Sequence, residues 1–251
     1  MTPTAIGSAQ DAAPQAQRTS LKKLRTFARN KGAVIGIVIL LVLAGAAIFA
    51  PLLTPYDPTA QDLSSAFLSP SAMHPFGTDD LGQDILARVM YGGRYTLAIG
   101  AVAVAIAAVI GVPLGLISGY VGGATDMLIQ RVTDILLSFN PFLLALVLVA
   151  VFGVGIETVT IAAGVGVIPQ FIRLARGQAL SLREEVYVEA AIAFGESSTA
   201  ILVRHVLRNA LTPIIVYATL NSGVTSLVAA GLGFLGLGVQ PPQASLGSLI
   251  H

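Results

Sequence analysis

Few residues of this chain have the type and spacing that covalent chemistry needs. There is no cysteine, so disulfides and thiolate metal sites are excluded. All lysines, Lys22, Lys23 and Lys31, lie near the N-terminus. A phosphate-binding loop of the form G-x-x-x-x-G-K-[ST] needs a lysine inside a glycine loop, and none exists. By itself, then, the chain is expected neither to bind nor to hydrolyse ATP. No Ser/His, Asp/Asp or metal constellation is spaced for catalysis at membrane depth, which sets aside an intramembrane enzyme. Two polar stretches remain. The first is His74-Pro75-Phe76-Gly77-Thr78-Asp79-Asp80-Leu81-Gly82-Gln83-Asp84. A histidine near aspartates suggests a metal site, but the spacing matches no metal motif, and a solvated acidic loop is the better reading. Thr78 or Asp79 is expected to cap a surface helix with Leu81, Ile85, Leu86, Val89 and Met90 as its apolar stripe. Asp84 and Arg88 would form an i,i+4 pair on it.

The second stretch, residues 183–213, is a polar island between long apolar runs. Tyr187, Ala190, Ala191 and Phe194 recur at helical spacing, which predicts a short amphipathic helix over 184–194. Gly195 ends it, since glycine takes positive φ without a Cβ clash. Ser197, Ser198 or Thr199 can cap a second helix over 200–207. Glu189 lies off the apolar stripe and is expected to pair with Arg183, Arg204 or Arg208. The result is a helix–turn–helix too polar to span a bilayer, tethered at both ends to segments that can.

Those segments follow from composition. The chain is 55% hydrophobic and 11% charged, against roughly a quarter charged in soluble domains. This is an all-α, polytopic membrane protein. Residues 1–20 read as a disordered tail. Residues 21–31 are basic and amphipathic and should lie on the membrane surface, where they bind anionic lipid or simply anchor topology. The first span is 33–50; Ala44-Gly45-Ala46 could mimic a signal-peptide cleavage site, but the long preceding tail and the later spans favour a retained helix. Further spans are predicted at 96–120, 127–152, 158–175 and 209–238. In the second, Gly111-Val112-Pro113-Leu114-Gly115 marks a kink or a close approach to a neighbour. Asn140-Pro141 falls mid-way in the third, as a pore-shaping feature or a plain proline kink. Arg131 and Asp134, one turn apart there, would pair. Asn221 and Ser222 fall mid-way in the fifth, as path-lining residues or as helix–helix hydrogen bonds.

Several of these residues carry a family resemblance. Glu189-Ala190-Ala191, Gly195 and His205-Val206-Leu207, at their spacing, resemble the EAA loop of ABC-importer permeases, with Arg208 where relatives usually have proline. Gly77, Thr78, Asp79, Leu81, Gly82 and Asp84 fall on the H-x-x-G-T-D-x-L-G-R-D signature of the second permease subunit of dipeptide, oligopeptide and nickel importers. Gln83 replaces its arginine. Residues 231–238 with Pro241-Pro242 resemble the G-L-S-F-L-G-x-G-x-x-P-P stretch after the fifth span. The resemblance implies a type I importer permease fold with five of six spans visible. The sequence is then either a truncated version, or its last helix is supplied otherwise. It divides the chain at 1–20 (tail), 21–53 (surface helix and first span), 54–94 (extracytoplasmic loop) and 95–251 (permease core), with the coupling loop at 184–208. It implies a homologous permease partner, two cytoplasmic ATPase subunits that supply the hydrolysis, an extracytoplasmic substrate-binding protein, and alternating access without covalent chemistry. No cofactor, metal or nucleic acid is expected. The cargo would be short peptides first, then nickel or a haem-like compound. An ion-gradient-driven transporter is the rival, but it wants deep acidic residues or histidines and an internal repeat, and these spans offer little beyond Asn140, Asn221 and Asp134. With the N-terminus in the cytoplasm of a plasma or inner membrane protein, twelve of fourteen basic residues fall inside.

Overall fold

The computed structural model describes residues 30–240, 243 and 245–249. The expected tail at 1–20, nearly all of the surface helix at 21–31, Pro241-Pro242 and His251 lie outside the described residues. Nine α-helices make up the described chain: α1 (Lys31–Ile48), α2 (Ala50–Leu53), α3 (Ile85–Val121), α4 (Gly123–Leu137), α5 (Pro141–Phe152), α6 (Ile156–Arg183), α7 (Val186–Ala193), α8 (Ser198–Ile201) and α9 (Arg208–Phe234). Among the described residues there is no strand, only an isolated bridge between Thr78 and Asp84. Within the described residues, four helical stretches are long and apolar enough to cross a membrane, or five if the bent pair α4–α5 counts as one.

The packing of α3 against α6 organises the body. Gly111, Gly115 and Gly119 stand four residues apart and so share one face of α3. A Cβ on Gly111 would lie 2.7 Å from the Phe171 Cβ, and one on Gly115 or Gly119 would lie 2.8 Å from the Cβ of Ala175 or Ala179. Small residues on both sides let the two backbones touch. The glycine-proline stretch is therefore a close approach, and α3 runs unbroken through Pro113. Contacts advance together along both helices, from Ala103 against Gly164 to Gly119 against Arg176, so α3 and α6 are parallel. The chain between them must return across the body, and α4–α5 provides that return. Helix α9 runs the other way, with Gly100 of α3 facing Ser222 and Ser226.

Three boundaries differ from expectation. The surface helix and second span are one helix of 37 residues, roughly 55 Å long, well beyond a hydrocarbon core of about 30 Å. The third span is not a kinked helix. It breaks at 138–140 with an 86° bend. Asn140 is extended, as a residue before proline prefers, and Pro141 starts a new helix at its first turn, where a missing N–H costs nothing. The second helix of the polar island is not separate either. From Ser198 it passes through a π-helical segment, Leu202–Leu207, straight into α9. Arg208 lets it continue, with φ −57 and ψ −41 in helical space.

One hydrophobic cluster joins Val104, Val112, Leu116, Phe171, Ala175 and Ala179 to Val188, Ala191, Ile201 and Val206. The polar island is thus bolted to the core of the spans.

Candidate functional site

The two motif-bearing stretches sit at opposite ends of this body, one before α3 and one after α6. Between α2 and α3 the chain ties a knot around Thr78. Its hydroxyl accepts from the Leu68 N–H at 2.9 Å and donates to the Ser65 carbonyl. Backbone bonds from Thr78 to Leu68, Phe67 to Asp79 and Asp62 to Leu81 stitch residues 62–68 along the motif. Gly77 and Gly82 take φ of 76° and 72°. A side chain at either would also overlap a carbonyl oxygen, that of Leu68 or of Asp62. Asp79 Oδ1 accepts from the N–H groups of Leu81 and Gln83, at 3.0 and 2.8 Å.

Three expectations fail here. The helix cap is neither Thr78 nor Asp79 but Asp84, whose Oδ1 accepts from Ala87 N–H at 2.7 Å. Arg88 pairs with Asp79, not with Asp84. Asp84 instead meets His74 Nδ1 at 2.9 Å with its second oxygen. Nor is the whole acidic loop solvated, although Asp80 is exposed. Asp84 is 4% exposed and Gln83 2%, and Gln83 Nε2 donates to the Thr59 carbonyl. The long-range bonds of the knot outcompete the local i,i+4 pairing. Both oxygens of Asp84 are consumed structurally, and the chemistry of this motif is positioning. We expect Gly82→Ala to unseat residues 62–68, read as severalfold faster chymotryptic cleavage after Phe67 in the purified chain. An unchanged rate would mean that the knot does not depend on this turn.

At the other end, α7 stops at a glycine-closed cap. The Gly195 N–H bonds Ile192 O at 2.9 Å and the Glu196 N–H bonds Ala191 O at 3.0 Å, with Gly195 at φ 78°. This is the Schellman arrangement, and it needs the residue that the spacing singled out. Ser197 caps α8, its Oγ accepting from the Ala200 N–H. The buried face of α7 keeps only Ala191 of the expected apolar stripe. Val188 and Ala191 face the core, while Tyr187, Ala190 and Phe194 are exposed, Phe194 at 92%. A stripe of apolar residues at helical spacing does not say whether this chain or another covers it.

Glu189 is exposed and makes no ion pair among the described residues. The acid that holds the loop is Glu196, 2.9 Å from His205 Nε2 and 3.6 Å from Arg204. His205 also lies beside Tyr187, with ring centroids 6.2 Å apart. Asn209 bonds both the Tyr187 hydroxyl and the His205 carbonyl. Leu207 is half-buried against the core cluster.

The polar residues of the spans are placed locally. Asn140 caps α5 through the Phe142 N–H at 2.9 Å. Asn221 donates to the Tyr217 carbonyl and Ser222 to the Thr219 carbonyl, all within α9. None of these bonds runs between helices. Bonds between helices fall mostly on residues that the sequence did not single out. The Tyr217 hydroxyl donates to Gln170 at 2.9 Å. Arg176 forks onto both oxygens of Asp126 at 2.6 and 2.7 Å, and Ser118 joins them. Asp134 pairs with Arg173 of α6 at 2.8 Å, not with Arg131. Apart from Ser118, which is 8 residues from Asp126, these partners stand 39 to 50 residues apart, a separation that carries no local signal.

Two family descriptions match the chain. "Binding-protein-dependent transport system inner membrane component" covers residues 111–251, and "N-terminal TM domain of oligopeptide transport permease C" covers 23–70. The chain is 44% identical to a dipeptide transport system permease protein of Alkalihalophilus pseudofirmus, over 93% of this chain and 76% of the relative. It is 44% identical to a probable D,D-dipeptide transport system permease protein of Escherichia coli, over 87% and 72%. It is 38% identical to a glutathione transport system permease protein of Pectobacterium atrosepticum, over 90% and 76%.

Proposed function

The chain belongs to the family of binding-protein-dependent transport system inner membrane components, in the branch of the DppC- and OppC-like permeases of ABC importers, and from that premise we propose that it forms the membrane path for short peptides together with a homologous permease. It is an all-α, multi-pass membrane protein and a transport component. The names of its relatives speak of a dipeptide, a D,D-dipeptide and glutathione. All three are short peptides with charged ends, and they favour that cargo over nickel or a haem-like compound.

One observation carries the mechanism. Helix α7 presents Tyr187, Ala190 and Phe194 outward while Val188 and Ala191 lock it into the same core as α3, α6 and α9. A partner that grips the outer face moves the spans with it, because a close-packed interior transmits displacement instead of absorbing it. In this reading two ATPase subunits grip residues 184–208 here and in the partner permease. Their closure and release rock the helices between inward-open and outward-open states, and a binding protein delivers peptide at the end that holds the Thr78 knot. The test is reconstitution with the partner permease, the ATPase subunits and the binding protein, measuring ATP hydrolysis and uptake. Peptide-stimulated hydrolysis with uptake is expected, and none from the isolated chain. Hydrolysis by the pure chain, or uptake driven by an ion gradient without ATP, would overturn the reading.

The same proposal sets orientation. The connector at 184–208 carries Arg204 and Arg208, and the residues just before it carry Arg173, Arg176 and Arg183. The positive-inside rule puts that end in the cytoplasm with the N-terminus, and the knot outside. The chain has no cysteine of its own, so single replacements report cleanly. In intact cells, cysteine at Ser71 should react with an impermeant thiol reagent and cysteine at Ser198 should not. The reverse pattern would invert the topology.

A further inference from the structure

A pocket of about 520 Å³ opens beside the Thr78 knot, at the end of the body opposite the connector. Tyr91 and Tyr95 line it from adjacent turns of α3, and Tyr56 lines it from the turn after α2, with Asp57 beside it. The wall is built in advance of any ligand. The Tyr56 ring stacks 4.7 Å from that of His74, and His74 is held by the buried Asp84. Pro55 and Pro58 stiffen the backbone on either side of Tyr56 and Asp57. The polar groups are nonetheless unspent. Among the described residues, the hydroxyls of Tyr56, Tyr91 and Tyr95 have no hydrogen-bond partner. Asp57 uses only Oδ1, which accepts from the N–H and the hydroxyl of Thr59 at 2.8 and 2.6 Å.

The loop that forms the pocket carries charge of one sign, while Arg94 of α3 stands beside Tyr95 and outside the lining. Residues 51–84 hold Asp57, Asp62, Asp79, Asp80 and Asp84 and no lysine or arginine. Asp79 and Asp84 are matched by Arg88 and His74. Asp57 and Asp62 have no cationic partner among the described residues, and both line an adjoining cleft that shares Tyr56. The Thr59 hydroxyl and amide hold the Asp57 carboxyl below the usual carboxylate range, so it is charged at neutral pH. Three electron-rich ring systems and a free carboxylate oxygen suit a cation that also has apolar surface. They repel an anion, and a neutral apolar ligand would leave the carboxylate unmatched.

We propose that this pocket binds an alkylammonium group, as found at the free amino end of a peptide or in an aminophospholipid headgroup. The chemistry of the pocket is the same whichever way transport runs. The full chain is placed in nanodiscs of phosphatidylglycerol alone, and ethylammonium chloride is titrated with saturation-transfer NMR as readout. Binding should be saturable, and N-ethylacetamide, its neutral analogue, should not bind. Asp57→Asn should weaken binding about tenfold, the loss of one charge-assisted contact. The double change Tyr91→Leu with Tyr95→Leu should weaken it further, and Asp80→Asn should leave it unchanged. Asp57 is exposed, so its variant is expected to fold, and gel filtration verifies that. Adding phosphatidylethanolamine to the discs separates the two sources. If the ethylammonium signal is lost, the headgroup occupies the pocket. If it persists and alanyl-alanine competes where its N-acetyl form does not, the ligand is a soluble amine. Absent binding, equal binding of the neutral analogue, or wild-type affinity in both variants overturns the proposal.

Discussion

Gly115→Leu is expected to prevent recovery of the folded chain. A Cβ at this position would overlap the Ile172 carbonyl oxygen and lie 2.8 Å from Ala175 Cβ and 3.0 Å from Arg176 N. Two of these neighbours are backbone atoms of α6, which cannot rotate aside as a side chain can. The helices would have to separate along a seam that Gly111 and Gly119 also need closed. The Asp126–Arg176 fork at one end of that seam would be pulled apart with it. Overpacking a core costs typically about 1–3 kcal/mol, and a branched side chain against backbone lies at or above the top of that range. The measurement is thermal unfolding in detergent, beside Gly177→Leu on α6, where nothing lies within 4 Å of a Cβ. The control should melt like the wild type. A Gly115→Leu protein melting within about 2 °C of wild type would mean that α3 and α6 do not pack as described.

Phe194→Asp is expected to leave the chain folded and to abolish coupling. Phe194 caps α7 and is 92% exposed. Burying such a ring against a partner contributes about 1.5–3 kcal/mol, and central aromatic anchors dominate interface energetics. An aspartate there would have to be desolvated in the same place. Insertion and unfolding should be unchanged, while peptide-stimulated hydrolysis by the reconstituted complex should fall more than tenfold, the rate equivalent of about 1.4 kcal/mol. Gly195→Val should act in the same direction, by straining a cap at φ 78°. Space at Gly195 is open, so the strain is conformational, on the order of 1–2 kcal/mol. Glu189→Ala should be nearly silent, because Glu189 holds no ion pair among the described residues. Full stimulation by Phe194→Asp in an intact complex would show that α7 is not where force enters.

Gly195 was legible because the demand for positive φ at the end of a helix is local. The cap before the apolar run was legible for the same reason, as one of Ser197, Ser198 and Thr199, and the structure selects Ser197. The pairing acid was not legible: Glu189 lies off the apolar stripe, yet Glu196 does that work. Gly195 turns the chain so that Glu196 points back at Arg204 and His205. In the Thr78 knot the glycines were visible, but the carboxylate assignments were not. Asp79, Asp84, His74 and Arg88 lie within fifteen residues, and which of them pair depends on how residues 62–68 thread along the motif.

What the sequence determined by itself was whatever composition and short-range stereochemistry dictate: an all-helical membrane body, its approximate spans, the glycine turns, the basic asymmetry and the family. Hydropathy and φ preferences act within a few residues, so they survive without a fold. The tertiary structure decided the rest. It made Asn140-Pro141 a break instead of a kink, because an 86° bend there suits the return between two parallel helices. It fused the second connector helix to α9. It turned Tyr187 and Phe194 outward and Val188 and Ala191 inward, a choice made by the core cluster that they join and not by the periodicity of α7. It joined Asp126 to Arg176 across 50 residues, because parallel packing of α3 and α6 brings their ends together. Pairings of that kind depend on where helices cross, and no local pattern encodes a crossing.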